Sequence, residues 1–364
     1  MSIGVGFIGL SAARGWAANA HLPALRALPG EFEIRALSGS TPESARAAAE
    51  AHGVPISCAD HRELVARSDV DLVVVTVKVP EHHRLVTAAI DAGKAVLCEW
   101  PLGNGLAEAE ELTARAAERG LRTFVGLQAR SAPAFRFVRD LVREGAVGEV
   151  LSTTVVGSGE GWGPVVWPTA EYLVDRDNGA TMLTIPFGHA IDGVCFALGE
   201  FAELTATTAT RRPVVHHFDS GAEVPMTAED QVAVTGTLEG GAVASLHYRG
   251  GRSTGTNFLW EVNGTAGDLV VRGDRGQVQH GQVDVFLGKA GGQLEPQPVP
   301  ERYHTTSTDP ATPSHAVAEA YAQIAQDLRT GSTSAPTFAD ALRRHRMLAA
   351  VQQAAATGQR QSLA

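Results

Sequence analysis

Lysine is nearly absent from this chain. Lys78, Lys94 and Lys289 are the three in 364 residues, and every other basic side chain bar histidine is arginine. Arginine keeps its proton and is a poor proton shuttle. Any lysine-dependent step must therefore use one of three residues. Cysteine is as scarce: Cys58, Cys98 and Cys195 have neither metal-ligand spacing nor the even count of a disulfide framework. Cys98 and Cys195 stand in apolar runs and read as small core residues. No apolar run reaches transmembrane length. Met1-Ser2-Ile3-Gly4 leads straight into a strand, without a signal-peptide pattern. The expectation is a cytoplasmic protein with no membrane partner. Positive charge is also short, with 30 basic against 40 acidic residues and a formal charge of −10. That argues against direct nucleic-acid binding, which needs a basic face. The local run Arg343-Arg344-His345-Arg346 reads as a solvated helix face.

What remains is ordinary globular material, 44% hydrophobic and 19% charged, of a length that suits about two domains. Up to residue 127 strands alternate with helices. Gly4 to Gly9 is an apolar strand entering a turn, and Trp16 to Leu28 reads as a helix. Phe32 to Leu37 is the next strand. Pro42 to His52 is a helix, with Ser40 or Thr41 as its cap and Gly53 at its end. Asp71 to Val77 is apolar on both faces, as in the middle of a parallel sheet. His83 to Ala92 and Ala107 to Arg119 are helices; Lys94 to Glu99 and Arg122 to Leu127 are strands. This alternation predicts an α/β domain with a doubly wound parallel sheet over residues 1–127. From residue 128 to 364 the pattern changes to extended runs separated by turns such as Gly240-Gly241 and Asn263-Gly264. It predicts an α+β domain with a mostly antiparallel open sheet, closed by helices at about 315–356.

The first strand ends in glycine, and such turns let phosphate approach backbone N–H groups at a helix start. Gly4, Gly6 and Gly9 match G-x-G-x-x-G literally, but Gly4 and Gly6 lie inside the strand. The loop proper is Gly9-Leu10-Ser11-Ala12-Ala13-Arg14-Gly15, with Ser11 in the place of the second glycine. In its βαβ context the loop favours a dinucleotide. An acidic residue after the second strand would favour NAD, and an arginine NADP. This chain has Ser38-Gly39-Ser40-Thr41 there, which leaves NAD and NADP both open.

The run VGFIGLSAARGWAANAHLPAL, followed by Glu99-Trp100-Pro101-Leu102, Gln128-Ala129-Arg130 and FGHAID, resembles the Gfo/Idh/MocA oxidoreductase family. Within it, the pattern is similar to the branch of the fungal galactose-pathway transcriptional repressor and its bacterial relatives. The resemblance spans Val5 to about Ala356. It implies a nicotinamide-binding Rossmann domain, a second domain whose open sheet supports a homodimer or homotetramer, and sugar- or polyol-like substrates. For the repressor branch it implies a dinucleotide-binding protein that acts through protein contacts. The cofactor set expected on this plan is Gly9, Leu10, Ser11, Ala12, Arg14 and Trp16 from the first loop and helix. Ser38 and Ser40 follow the second strand, and Val77, Lys78 and His82 the third. Glu99, Trp100, Pro101 and Gln128 complete it.

The family's Glu-Lys-Pro is Glu99-Trp100-Pro101 here, so an indole stands at the catalytic lysine. An indole N–H donates a hydrogen bond and handles no proton. In the family's Asp-x-Gly-x-His-x-x-Asp, His189 and Asp192 match, and Ile185 occupies the first acidic position. The repressor branch lacks both groups as well. His189 is then the candidate base; the alternative is a packed histidine at a helix start, oriented by Asp192. Lys78 is the candidate stand-in for the missing ammonium. The segment Gly157 to Thr169 resembles one that flanks the ligand cleft. There Glu160 and Trp162 are candidates for binding a sugar-like ligand, along with His189 and Asp192; the alternative is a loop anchored by buried indoles. No metal site is expected.

Overall fold

A computed structural model describes residues 2–363. Their contacts divide the chain into two units: residues 1–131 with 305–343, and residues 132–304 with 344–364. The sequence reading assigns everything after residue 127 to the second domain. By contacts, 305–343 instead belongs with the first.

The first unit is built on six parallel strands: β1 (Ile3–Ile8), β2 (Phe32–Ser38), β3 (Ile56–Cys58), β4 (Leu72–Val75), β5 (Ala95–Cys98) and β6 (Thr123–Val125). Their order is β3-β2-β1-β4-β5-β6, the doubly wound arrangement. The connecting helices are α1 (Leu22–Arg26), α2 (Pro42–His52), α3 (His61–Val65), α4 (His82–Asp91) and α5 (Leu106–Glu118). The predicted helix from Trp16 is divided. A wider π-type turn, Ala17–His21, precedes α1. Thr41 is the cap of α2: its side chain accepts from Ser44 N–H, and Ser44 Oγ accepts from Thr41 N–H, both at 3.1 Å.

Residues from far along the chain complete this core. Val5, Phe7, Leu72, Val74 and Leu97 of the sheet cluster with Ala17, Ala20 and Ala24. Val317, Tyr321 and Ile324, from the helix Pro313–Thr330, close the same cluster. That helix ends at Gly331, and Asp327 caps the turn beyond it. The Asp327 carboxylate accepts from Ser332 Oγ at 2.7 Å, Ser334 N–H at 2.8 Å and Ala335 N–H at 2.8 Å. Burial opposes its charge, but the Ala335, Ser332 and Ser334 bonds prevail and hold the carboxyl below its ordinary value. A depressed folded value stabilises above the unfolded one and is lost as pH falls through the folded one. Asp327→Asn is therefore expected to cost roughly 1–3 kcal/mol at neutral pH. Urea titrations from neutral pH to below about pH 4 should show the gap to the parent closing on the acid limb. A gap that stays constant would show that the charge contributes nothing.

The second unit starts with α6 (Pro133–Arg143) and carries α7 (Gly188–Leu198). Its nine-stranded sheet contains β7 (Val150–Gly159), β9 (Phe201–Ala209), β12 (Gln231–Leu238), β13 (Val243–Gly250), β14 (Phe258–Gly264), β15 (Gly267–Gly273) and β16 (Val283–Lys289). Two-residue strands, β17 (Glu295–Pro296) and β18 (Gln361–Ser362), end it on either side. Only β13 and β7 pair in parallel; the other neighbours are antiparallel. One face packs under the helices. Phe135 of α6 stacks on Trp260, with ring centroids 5.8 Å apart. Trp260 Nε1 donates to Thr153 Oγ1 at 2.9 Å, satisfying the buried indole. Along β13, Ala244, Leu246 and Tyr248 are buried while Val243, Ser245 and His247 are exposed, the period of two of a half-covered sheet. A separate three-stranded sheet joins β8 (Val165–Val166), β10 (Val214–His217) and β11 (Glu223–Pro225). Among the described residues no helix is long and apolar enough to cross a membrane.

Candidate dinucleotide cleft and the polar clusters around it

Parallel strands leave their C-terminal ends free, and ligands enter where the strand order reverses. In the first unit that point lies between β1 and β4, and a cavity of about 800 Å³ lies there. Gly9, Leu10, Ser11 and Ala12 form the wall after β1, Ser38 and Ser40 the wall after β2, and Val77 and Lys78 the wall after β4. These eight predicted residues share one cavity. Gly9 has φ +106°, and a Cβ there would stand 2.6 Å from Val77 Cγ1 and 2.8 Å from Thr76 O. Only glycine lets the loop turn this close to β4. The cradle therefore fits a dinucleotide whose phosphates approach the backbone.

The far wall was not foreseen. Asp60, His61 and Arg84 line it, with Ser44 from α2. Asp60 is committed as the cap of α3, accepting from Arg62 N–H at 2.8 Å and Glu63 N–H at 3.0 Å. The bond from Glu63 N–H, with that from Arg62, keeps its carboxyl below the ordinary value. Arg84 donates to Glu81 at 2.6 Å and lies 3.4 Å from the His61 ring. Burial, then the Arg84 charge, lower the His61 pKa. No sequence motif marks these residues, because they come from the starts of three separate helices.

Seven predicted cofactor residues lie outside the cavity lining. Arg14 is exposed and Trp16 half-buried. His82 is buried, with Nδ1 2.7 Å from Pro101 O and Nε2 3.0 Å from Val77 O. Burial lowers its pKa, and a neutral imidazole donates through one nitrogen. His82 thus sits between the segments following β4 and β5 and donates to one of the two carbonyls. Trp100 is 4% exposed, a core side chain.

Glu99 is the centre of a polar cluster within the same unit. His21 Nε2 lies 2.9 Å from its Oε1, and Gln128 Nε2 donates to both oxygens at 3.0 and 3.1 Å. The Tyr321 hydroxyl lies 2.7 Å from His21 Nδ1. A Cβ on residue 126 would stand 2.4 Å from Glu99 Oε1, so Gly126 makes room for the carboxylate.

In the second unit His189 lies in the first turn of α7 and is 3% exposed. Asp192, one turn on, is fully buried, and Arg344 Nε donates to its Oδ1 at 3.3 Å. Arg344 is fully buried too and His345 is 4% exposed, so the expected solvated face of the Arg343–Arg346 run is corrected at its second and third residues. Glu200 accepts from Arg344 Nη2 at 3.0 Å on each oxygen. Cys195 beside it is a core thiol that burial pushes up to about 12. Trp162 is fully buried and donates to Leu173 O at 2.8 Å, as in the anchored-loop alternative. Glu160 faces Arg252 at 3.6 Å and Arg275 at 3.7 Å. Trp167, by contrast, is exposed against Phe218, ring centroids 4.0 Å apart. Among the described residues no group of His, Cys, Asp or Glu is arranged to hold a metal ion.

Comparison with known proteins gives two family matches. Residues 3–127 match the family described as oxidoreductase family, NAD-binding Rossmann fold. Residues 133–273 match that described as Gal80p, C-terminal domain. The dehydrogenase aclE of Aspergillus oryzae is 36% identical over 282 residues, 74% of this chain and 77% of its own. The galactose/lactose metabolism regulatory protein GAL80 of Saccharomyces cerevisiae is 31% identical over 295 residues, 75% of this chain and 67% of its own. A solved structure of a super-repressor mutant of Gal80p from Saccharomyces cerevisiae matches with a TM-score of 0.90 at 25% identity, over 100% of this chain and 98% of that one.

Proposed function

Because the chain belongs to the Gfo/Idh/MocA oxidoreductase family, whose first domain is an NAD-binding Rossmann fold, we propose that it is an NAD(P)-dependent dehydrogenase of a sugar- or polyol-like alcohol with a reduced proton-transfer set. The observation that carries this reading is the cavity at the β1/β4 switch point, with Gly9 as its cradle. Bound there, the dinucleotide supplies the hydride acceptor. Gly9, Ser11 and the backbone of their loop hold the phosphates. Ser38 and Ser40 meet the ribose with hydroxyls and leave both NAD and NADP acceptable. His189 is the base that takes the hydroxyl proton of the alcohol, and Lys78 assists. Glu160 contacts the substrate. Trp162 and Asp192, both fully buried, are bonded to Leu173 O and Arg344 instead. A homodimer or homotetramer, formed through the exposed face of the nine-stranded sheet, belongs to the same proposal.

A second reading rests on Trp100. A buried indole in place of the lysine, beside Ile185 in place of an acid, removes two of the groups that move protons in the family. The protein is then a dinucleotide-binding regulator acting through protein contacts, as the GAL80 likeness supports. Loss of one acid–base group costs roughly 10²–10⁴ in rate, so turnover survives one such loss far better than two.

One series of measurements separates the readings. Cofactor at a hundred times its Kd stabilises by about 2.7 kcal/mol, a rise in Tm of roughly 5–10 °C for a unit of this size. No shift with NAD(H) or NADP(H) rules out both readings. Turnover is expected as sugar- or polyol-dependent growth of NAD(P)H absorbance that His189→Ala abolishes. A cofactor shift without turnover on a broad panel selects the regulator. Trp100→Lys then reports whether a dormant dehydrogenase site gains activity.

A further inference from the structure

Tyr321 lies on the helix Pro313–Thr330, outside both matched segments, 3–127 and 133–273. It is fully buried. Its ring packs edge-on against Phe32 and His21. Among the described residues its hydroxyl has one hydrogen-bond partner, His21 Nδ1 at 2.7 Å. A buried O–H must donate somewhere or forfeit its hydration without return. Burial, together with the Glu99 charge, pushes the phenol well above the ordinary tyrosine range, so it keeps its proton. On the other side of the imidazole, Glu99 Oε1 lies 2.9 Å from Nε2, and an ionised carboxylate accepts only. The groups facing the imidazole are thus a donor at Nδ1 and an acceptor at Nε2, with Phe7 and Trp16 edge-on to the ring.

We propose that Tyr321 is a positioning residue for the cofactor cleft: it donates to His21 Nδ1, holds the imidazole in its Nε2–H tautomer, and so orients the Glu99 carboxylate at the end of β5. The order runs Tyr321 O–H to His21 Nδ1, then His21 Nε2–H to Glu99 Oε1. Gln128 Nε2 fixes the carboxylate from a second direction, and Gly126 gives it room. Glu99 follows β5 at the edge of the sheet where α/β folds bind ligands, and its backbone N–H bonds to Val75 O at 3.1 Å. A helix that follows the sheet by some two hundred residues of chain thereby sets the direction of a charge beside the cleft. The effect on cofactor rests on the dinucleotide reading above; the tautomer does not.

The test uses the full chain with ¹⁵N-labelled histidine, the His21 signals being identified by their loss in His21→Gln. The ring-nitrogen shifts are expected to place the proton on Nε2 and leave Nδ1 as a hydrogen-bonded acceptor. Tyr321→Phe keeps the ring and removes the donor. It is expected to mix the tautomers and weaken NAD(P)H binding about tenfold, the worth of one hydrogen bond of this kind. Gln128→Leu is expected to weaken binding while leaving His21 as Nε2–H, which a general loosening of the fold would not do. A proton on His21 Nδ1 in the parent protein overturns the relay, and so does parental affinity in folded Tyr321→Phe. A parent with His21 as Nε2–H but no cofactor shift overturns the proposed function instead and leaves the relay standing.

Discussion

Truncation of Arg344 to alanine is expected to destabilise the second unit by about 3–5 kcal/mol, the range for breaking a buried ion pair from one side. The guanidinium is fully buried and serves two carboxylates, Asp192 at 3.3 Å and Glu200 at 3.0 Å. It also lies 3.3 Å from Cys195 Sγ and Met347 Sδ. Its removal leaves Asp192, itself fully buried, as an interior charge without its guanidinium. Desolvation, not lost attraction, dominates the cost. Differential scanning calorimetry should show a transition lowered by roughly 6–20 °C. The combination Arg344→Met with Asp192→Asn removes both charges and should recover part of the loss. A single-variant loss below about 1 kcal/mol would mean that water already reaches the cluster.

Gly9→Val is expected to abolish dinucleotide binding while the chain still folds. Residue 9 has φ +106°, and its missing Cβ would press on Val77 Cγ1 and Thr76 O at under 3 Å. A β-branched residue adopts that backbone region very rarely, so the loop must swing away from β4. The phosphate cradle then opens, and an affinity loss of more than about a hundredfold follows from displaced backbone contacts. The measurement is the cofactor-induced rise in Tm, with the apo Tm as the control for folding. A retained rise would place the phosphates elsewhere than at this loop.

Much of the first unit was legible because its signals are local. The limits of α2 follow from Thr41, Pro42 and Gly53, and Leu72–Val75 is apolar on both faces as a central parallel strand must be. The turn at Gly9 follows β1, where the glycine after an apolar run puts it. What stayed hidden depends on contacts between distant positions. Arg344 sits in a run of four basic residues, and hydropathy alone makes such a run solvated. Only the acids waiting at Asp192 and Glu200 make it a core residue. Tyr321 has no motif at all; its partner is 300 positions away. Trp162 is fully buried and donates to Leu173 O, while Trp167, five residues on, is 55% exposed against Phe218. The short strand β3 and helix α3, three and five residues long, are too brief to show a period.

The first unit is assembled from two stretches of chain separated by more than a hundred residues of the second. During synthesis its six strands leave the ribosome early, but Val317, Tyr321 and Ile324 arrive last. Until then the faces of Val5, Phe7 and Ala20 that they cover remain open to water. Translation proceeds at about 5–20 residues per second, so that apolar surface stays exposed for many seconds. The nascent chain therefore has a long interval in which its cofactor-binding half is a target for chaperones, and a ribosome stalled before residue 305 yields a half that cannot bury its own core.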